Sequence, residues 1–158
     1  MFVRNFVAGV DDGMIATVGL LAGVSFGDGQ RHFIVLTGVI AILVEAFSSA
    51  VGTILSEHSV EEFDAHHDVP LNKSIFGGVT MFISYVTAGL IPLLPYLFLE
   101  TRTALWMSIL LTLLVLSIIA YGKARRFGVG GAKEVFENIV IAGISIGIGL
   151  LFGYFIWV

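Results

Sequence analysis

Long apolar runs alternate with short polar breaks along this chain. The runs fall at about Phe6–Phe26, Phe33–Leu55, Ile75–Leu99, Ala104–Tyr121 and Val135–Trp157. Between them stand GDGQRH, the polar segment Ser56–Ser74, ETRT and GKARRFGVGGAKE. A helix that crosses a bilayer needs about 17–25 predominantly apolar residues, and every run meets that length. The pattern predicts an all-α integral membrane protein, a single bundle over residues 1–158 with five transmembrane helices. Residues 56–69 are expected to form a short acidic, histidine-bearing extension in the cytoplasm.

The second run organises the rest, because Glu45 is its one ionisable group. At about 1.5 Å per residue, Glu45 lies roughly 18 Å from one end and 15 Å from the other. A charge at that depth costs about 2.5 kcal/mol or more, so it has to face protein or water. At about 100° per residue, Gly38, Ala41, Glu45, Ser48, Ser49, Gly52 and Ser56 share one side of the helix. That small, polar stripe is expected to face protein, with Ile, Leu, Val and Phe opposite it toward lipid.

The first run repeats the anomaly. Asn5, Ala8, Gly9, Asp12, Ala16, Gly19 and Gly23 share a small or polar side, which allows close helix approach and suits pairing with a symmetry mate. Asp11 reads as a solvated acid near the helix start. In the third run Pro92 is expected to bend or end the helix, and Met81 reads as packing. The fourth run, the most uniformly apolar, is expected at the lipid-facing periphery. Gly143-xxx-Gly147, Ser145-xxx-Gly149 and Gly149-xxx-Gly153 in the fifth read as a helix–helix seam. Glu137, near the start of that run, is placed either toward the site or in solvent.

Composition agrees. Of 158 residues 57% are hydrophobic and 13% charged, about half the ~25% charged of a soluble domain. Mean hydropathy is +0.99. The absence of cysteine excludes disulfides, thiolate catalysis and cysteine metal sites. A net charge of −4 argues against nucleic-acid binding. No cleavable leader is expected from MFVRNFVAGVDDG. With five crossings the termini lie on opposite sides. A cytoplasmic N-terminus puts Arg4, Lys73, Lys123, Arg125, Arg126 and Lys133 inside, against Arg31 and Arg102 outside, as the positive-inside rule prefers. The C-terminus is then outside. Tyr96, Trp106, Tyr121, Tyr154 and Trp157 fit an interfacial aromatic belt.

The extension after the second run gathers Glu57, His58, Glu61, Glu62, Asp64, His66 and His67. On a continuing helix Glu57–Glu61, His58–Glu62 and Glu62–His66 are neighbours at i,i+4, close enough to share a cation. Carboxylate with imidazole suits Fe(II), Mn(II) or Zn(II). No H-E-x-x-H or G-x-S-x-G motif supports an intramembrane hydrolase, so no enzyme is predicted.

VAGVDDGMIATVGLLAGVS, then IVLTGVIA…SSAVG and the charged extension, resemble the vacuolar iron transporter family. Val10-Asp11-Asp12-Gly13 and Leu21-Ala22-Gly23-Val24 match the family's G-V-S-D-G and L-x-A-G-[VL] motifs; IPLLPY and the glycine-rich last run also fit. The resemblance implies a C2 homodimer with a pathway between subunits lined by the first two helices. Fe(II) or Mn(II) would leave the cytoplasm along it against protons. The family's membrane aspartate falls on Asp12. Its usual Ser-Met pair is Ser49-Ala50 here, and its glutamate position is Ile42, one turn before Glu45 and expected on much the same side. Its long metal-binding insert is reduced to Glu57–Asp68.

These readings converge on a divalent-cation transporter of the plasma or inner membrane, with no permanent cofactor and Fe(II) or Mn(II), or else Zn(II) or Co(II), as cargo. The expected metal-binding residues are Asp12, Glu45 and Ser49, aided by Ser48, in the membrane, and Glu57, His58, Glu61, Glu62 and His66 at the mouth. The rival is a non-transporting membrane protein whose acidic extension docks a soluble metal-handling partner. Expected partners are membrane lipid, the ion and a second copy of the chain, with no nucleic acid.

Overall fold

The computed structural model describes residues 2–27, 29–66, 70–127 and 131–157. Its helices are α1 (Phe2–Phe26), α2 (Arg31–Ala65), α3 (Asn72–Phe98), α4 (Thr101–Phe127) and α5 (Gly131–Trp157). All five contain a stretch long and apolar enough to cross a membrane. The helices begin earlier than the apolar runs because the polar flanks continue the same backbone hydrogen bonding. α2 is longest, 35 residues or about 52 Å, so it projects well beyond the ~30 Å hydrocarbon layer.

α1 is the central helix. It packs along α3 and α5 and also touches α2 and α4, while α3 packs along α2 as well. The small residues of α1 make this possible. A Cβ on Gly13 would lie 2.5 Å from the Tyr85 carbonyl oxygen of α3, and one on Gly23 would lie 2.8 Å from the Gly149 carbonyl oxygen of α5. Gly9 faces Ser84, and Gly19 faces Ser145. The small side expected to meet a symmetry mate is therefore largely taken up within the chain's own bundle. Only its Ala8–Asp12 edge stays open.

Several other expectations are revised. α4 is not the most peripheral helix; Ala104, Ser108, Thr112, Leu116, Ala120 and Ala124 form a buried stripe of small and medium side chains along it. α5 is the least buried helix. α3 continues through both Pro92 and Pro95, and Ser108 of α4 donates to the Pro92 carbonyl at 2.7 Å. Tyr96 is no belt residue. It is fully buried, and Ser25 donates to its hydroxyl oxygen at 2.8 Å, tying α1 to α3. Trp106, Tyr121 and Tyr154 are exposed, as a belt requires. Met81 packs in the core, as expected. Glu137 pairs with Lys133 at the surface.

Asp11 is not solvated. It meets Lys123 of α4 at 2.7 Å, and both side chains are less than one-fifth exposed. The helix starts at Phe2, so Asp11 lies past the first turns and needs a counter-ion from the bundle. Breaking a buried pair from one side strands a charge at a cost of about 3 kcal/mol. Lys123→Met is expected to lower stability by about that amount in chemical unfolding, and adding Asp11→Asn should restore most of it. A double variant no more stable than Lys123→Met alone would contradict this pairing.

Candidate ion site

The hairpin α1–α2 sets two carboxylates at one depth. Asp12 and Phe26 are 14 residues apart, as are Arg31 and Glu45, so each acid stands about 21 Å from the connecting turn. Tyr85 is 13 residues from Phe98, and Ser145 is 12 from Trp157, which brings α3 and α5 into the same layer. At this level an open groove of about 410 Å³ is lined by Asp12, Ile15 and Ala16 of α1, Glu45, Ser48 and Ser49 of α2, Tyr85 of α3 and Ser145 of α5.

Tyr85, 2% exposed, is the buried inner member of this set, while Asp12, Glu45 and Ser48 are exposed on the bundle surface. The Tyr85 hydroxyl donates to a Glu45 carboxylate oxygen. Ser145 donates to the Ile15 carbonyl at 3.0 Å, which ties α5 to α1 beside the groove. The α2 stripe thus does not face the bundle interior throughout. Gly38 is packed, but Glu45, Ser48, Gly52 and Ser56 are exposed, and a Cβ on Gly52 would meet nothing within 4 Å. The side of α2 that is buried runs instead through Ile34, Gly38, Ile42, Ala46 and Ala50.

That rotation separates Ile42 from Glu45. Ile42 is 1% exposed and packs near Gly89 of α3, so a carboxyl there would lie in the core and not in the groove. Ala50 is also buried, its backbone carbonyl against Gly78. The pair Ser49-Ala50 therefore presents only its serine to the groove.

The extension behaves differently from a metal cage. Glu57, the one buried acid of α2, turns back into the bundle, where Arg4 donates to it at 2.5 Å and Asn5 at 3.0 Å. His58 meets Glu62 at 3.1 Å, the one expected i,i+4 contact that forms between side chains. Glu61 points toward Lys73 at 4.0 Å. His66 caps the helix in a left-handed conformation (φ 57°), and its ring nitrogen Nδ1 lies 2.7 Å from the Phe63 carbonyl instead of by Glu62. His67 and Asp68 lie outside the described residues. Among the described residues, no three Asp, Glu or His side chains converge on one point. Bundle cations reach Glu57 and Glu61, which pulls these acids apart from one another.

Of the polar residues that line this groove, Asp12, Glu45, Ser48 and Ser49 are ones expected from the sequence, whereas Tyr85 and Ser145 are not. The available signal was depth: a tyrosine and a serine stand mid-span on α3 and α5, level with the two acids once the helices are aligned at their ends.

Comparison with known proteins completes the picture. Vacuolar iron transporter 1 of Arabidopsis thaliana is 21% identical over 203 aligned residues, covering 90% of this chain and 81% of the relative. Vacuolar iron transporter 1 of Oryza sativa subsp. japonica is 23% identical over 90% of this chain and 81% of its own length. The protein of that name from Eucalyptus grandis gives 23%, with 90% and 82% covered. Each alignment is longer than this chain's 158 residues, so these relatives carry segments absent here. Their names place them at the vacuole, which lends no support to the plasma or inner membrane expected above. The sequence pattern of the VIT family matches residues 3–68 and again 55–154, overlapping at the projecting end of α2, where the resemblance puts the missing insert. Matched over nearly its whole length, this multi-pass membrane protein belongs to the VIT family.

Proposed function

We propose that the protein is a metal-ion transporter that carries Fe(II) or Mn(II) out of the cytoplasm in exchange for protons, with Asp12 and Glu45 as its membrane site. The observation that carries this reading is two carboxylates from neighbouring helices at one depth, both lining one open groove. Acids held at mid-membrane are costly unless they serve an ion or proton path. Every polar donor in the groove is oxygen: two carboxylates and the hydroxyls of Ser48, Ser49, Tyr85 and Ser145. Such a set suits hard cations, which favours Mn(II) and then Fe(II) over softer ions. A carboxylate cannot hold a proton and coordinate an ion through the same lone pair, and that exclusion supplies the coupling.

A second copy completes the site. One protomer offers two carboxylates on an exposed, small-residue surface that cannot face lipid at low cost. A C2 mate seated over Ala8, Asp12, Ser48 and Gly52 brings two Asp12 and two Glu45 to one axis. The cytoplasmic mouth is assigned to the end where helix positions 4, 73, 123, 125, 126 and 133 come together. There His58, Glu61, Glu62 and His66 gather ions from solution, and Glu57 joins them only when Arg4 lets go.

Mn(II) and Fe(II) uptake by proteoliposomes under a pH gradient tests the reading: gradient-driven uptake of at least one is expected, and flux of both no greater than in empty vesicles overturns it. Crystals soaked in Mn(II) should show anomalous density between two copies of α2. The docking role predicts that deleting residues 57–68 removes metal binding by purified protein. Transport predicts that binding survives this deletion and is lost in Glu45→Gln.

A further inference from the structure

We propose that Tyr85 is a positioning residue of the ion groove, fixing where the Glu45 carboxylate stands relative to Asp12; this rests on the transport reading above. One residue touches the carriers of both acids. Its backbone carbonyl lies against Gly13, the residue after Asp12, closely enough that a Cβ there would sit 2.5 Å from the oxygen. Its side chain reaches α2, where the hydroxyl donates to Glu45. The backbone beside Tyr85 is packed against α1. Ser84, next to Tyr85, is fully buried against Gly9, and its hydroxyl is held by the Thr80 and Met81 carbonyls at 2.8 and 3.0 Å.

The consequence concerns Glu45. Its side chain is exposed at the groove's edge and, untethered, is free to turn along the open surface beside Ser48 and Gly52. The phenol holds one carboxylate oxygen to the inner wall and leaves the other to face an ion. A hydrogen bond to a charged group in such a setting is worth about a tenfold change in affinity or more.

Tyr85→Phe keeps the ring and removes only the hydroxyl. Two readouts apply: Mn(II) binding to purified protein, followed by loss of the free-ion electron paramagnetic resonance signal, and Mn(II) flux in proteoliposomes. The expected result is a rise of about tenfold in both Kd and KM with maximal flux retained, because the ion site is loosened and not removed. Unchanged Kd and KM in Tyr85→Phe, beside a wild type that binds and transports Mn(II), overturns the positioning role alone. So does a fall in maximal flux at unchanged KM, the mark of a merely structural residue. A wild type that neither binds nor transports Mn(II) or Fe(II) overturns the transport reading, and this role with it. If Tyr85→Phe does not fold, infrared difference spectra of the wild type decide. Mn(II) should shift a tyrosine C–O band that stays still in Glu45→Gln, and the absence of any shift overturns the proposal.

Discussion

Glu45→Gln and Asp12→Asn are each expected to cut Mn(II) flux by about 100-fold, the scale on which the number of ligand charges tunes divalent-cation affinity. Both changes keep side-chain volume, and both positions are exposed on the bundle, so the fold has little reason to respond. In Glu45→Gln the new amide oxygen can still accept the Tyr85 hydrogen bond, which leaves charge as the variable under test. If two protomers share one axis, each substitution removes two charges from the site at once. Glu137→Gln, at a surface pair with Lys133, should leave flux unchanged. Flux at the wild-type level after either groove substitution would remove that residue from the site.

The second large effect is structural. Gly149→Leu is expected to cost at least about 3 kcal/mol, whereas Gly147→Leu should change stability by about 0.5 kcal/mol or less. A Cβ on Gly149 would press into the backbone of Gly19 and lie 3.2 Å from the Gly23 nitrogen; one on Gly153 would press on Gly23. Backbone cannot rotate away as a flexible side chain does, so α5 would have to leave α1. At Gly143 and Gly147 a Cβ meets nothing within 4 Å. Unfolding in detergent followed by helical signal compares them. Equal losses at positions 147 and 149 would show that the seam is misplaced.

Those two glycine pairs illustrate what a sequence can convey. Gly143-xxx-Gly147 and Gly149-xxx-Gly153 are equivalent as motifs, yet one lies open and the other forms the seam with α1. Spacing states that a side of a helix is narrow; it does not name the neighbour that uses it. The same limit applies to α1, whose glycines are occupied by α3 and α5, and to Glu57, whose partner Arg4 is 53 residues away. An i,i+4 pattern could suggest that Glu57 faces Glu61, but a cation approaching from another helix outcompetes a like-charged neighbour.

The sequence by itself determined five stretches long and apolar enough to cross a membrane, the end at which the basic residues collect, and the two acids that lipid will not tolerate. These follow from apolar length and from the cost of burying charge, both local properties. Only the tertiary structure decided that Asp12 and Glu45 line one groove, that Ile42 belongs to the core, that Lys123 neutralises Asp11, and that Tyr85 links the two acid-bearing helices. Each depends on the rotation of one helix about its axis relative to another. That rotation is fixed by backbone contact at glycines and by buried polar pairs between residues far apart in the chain.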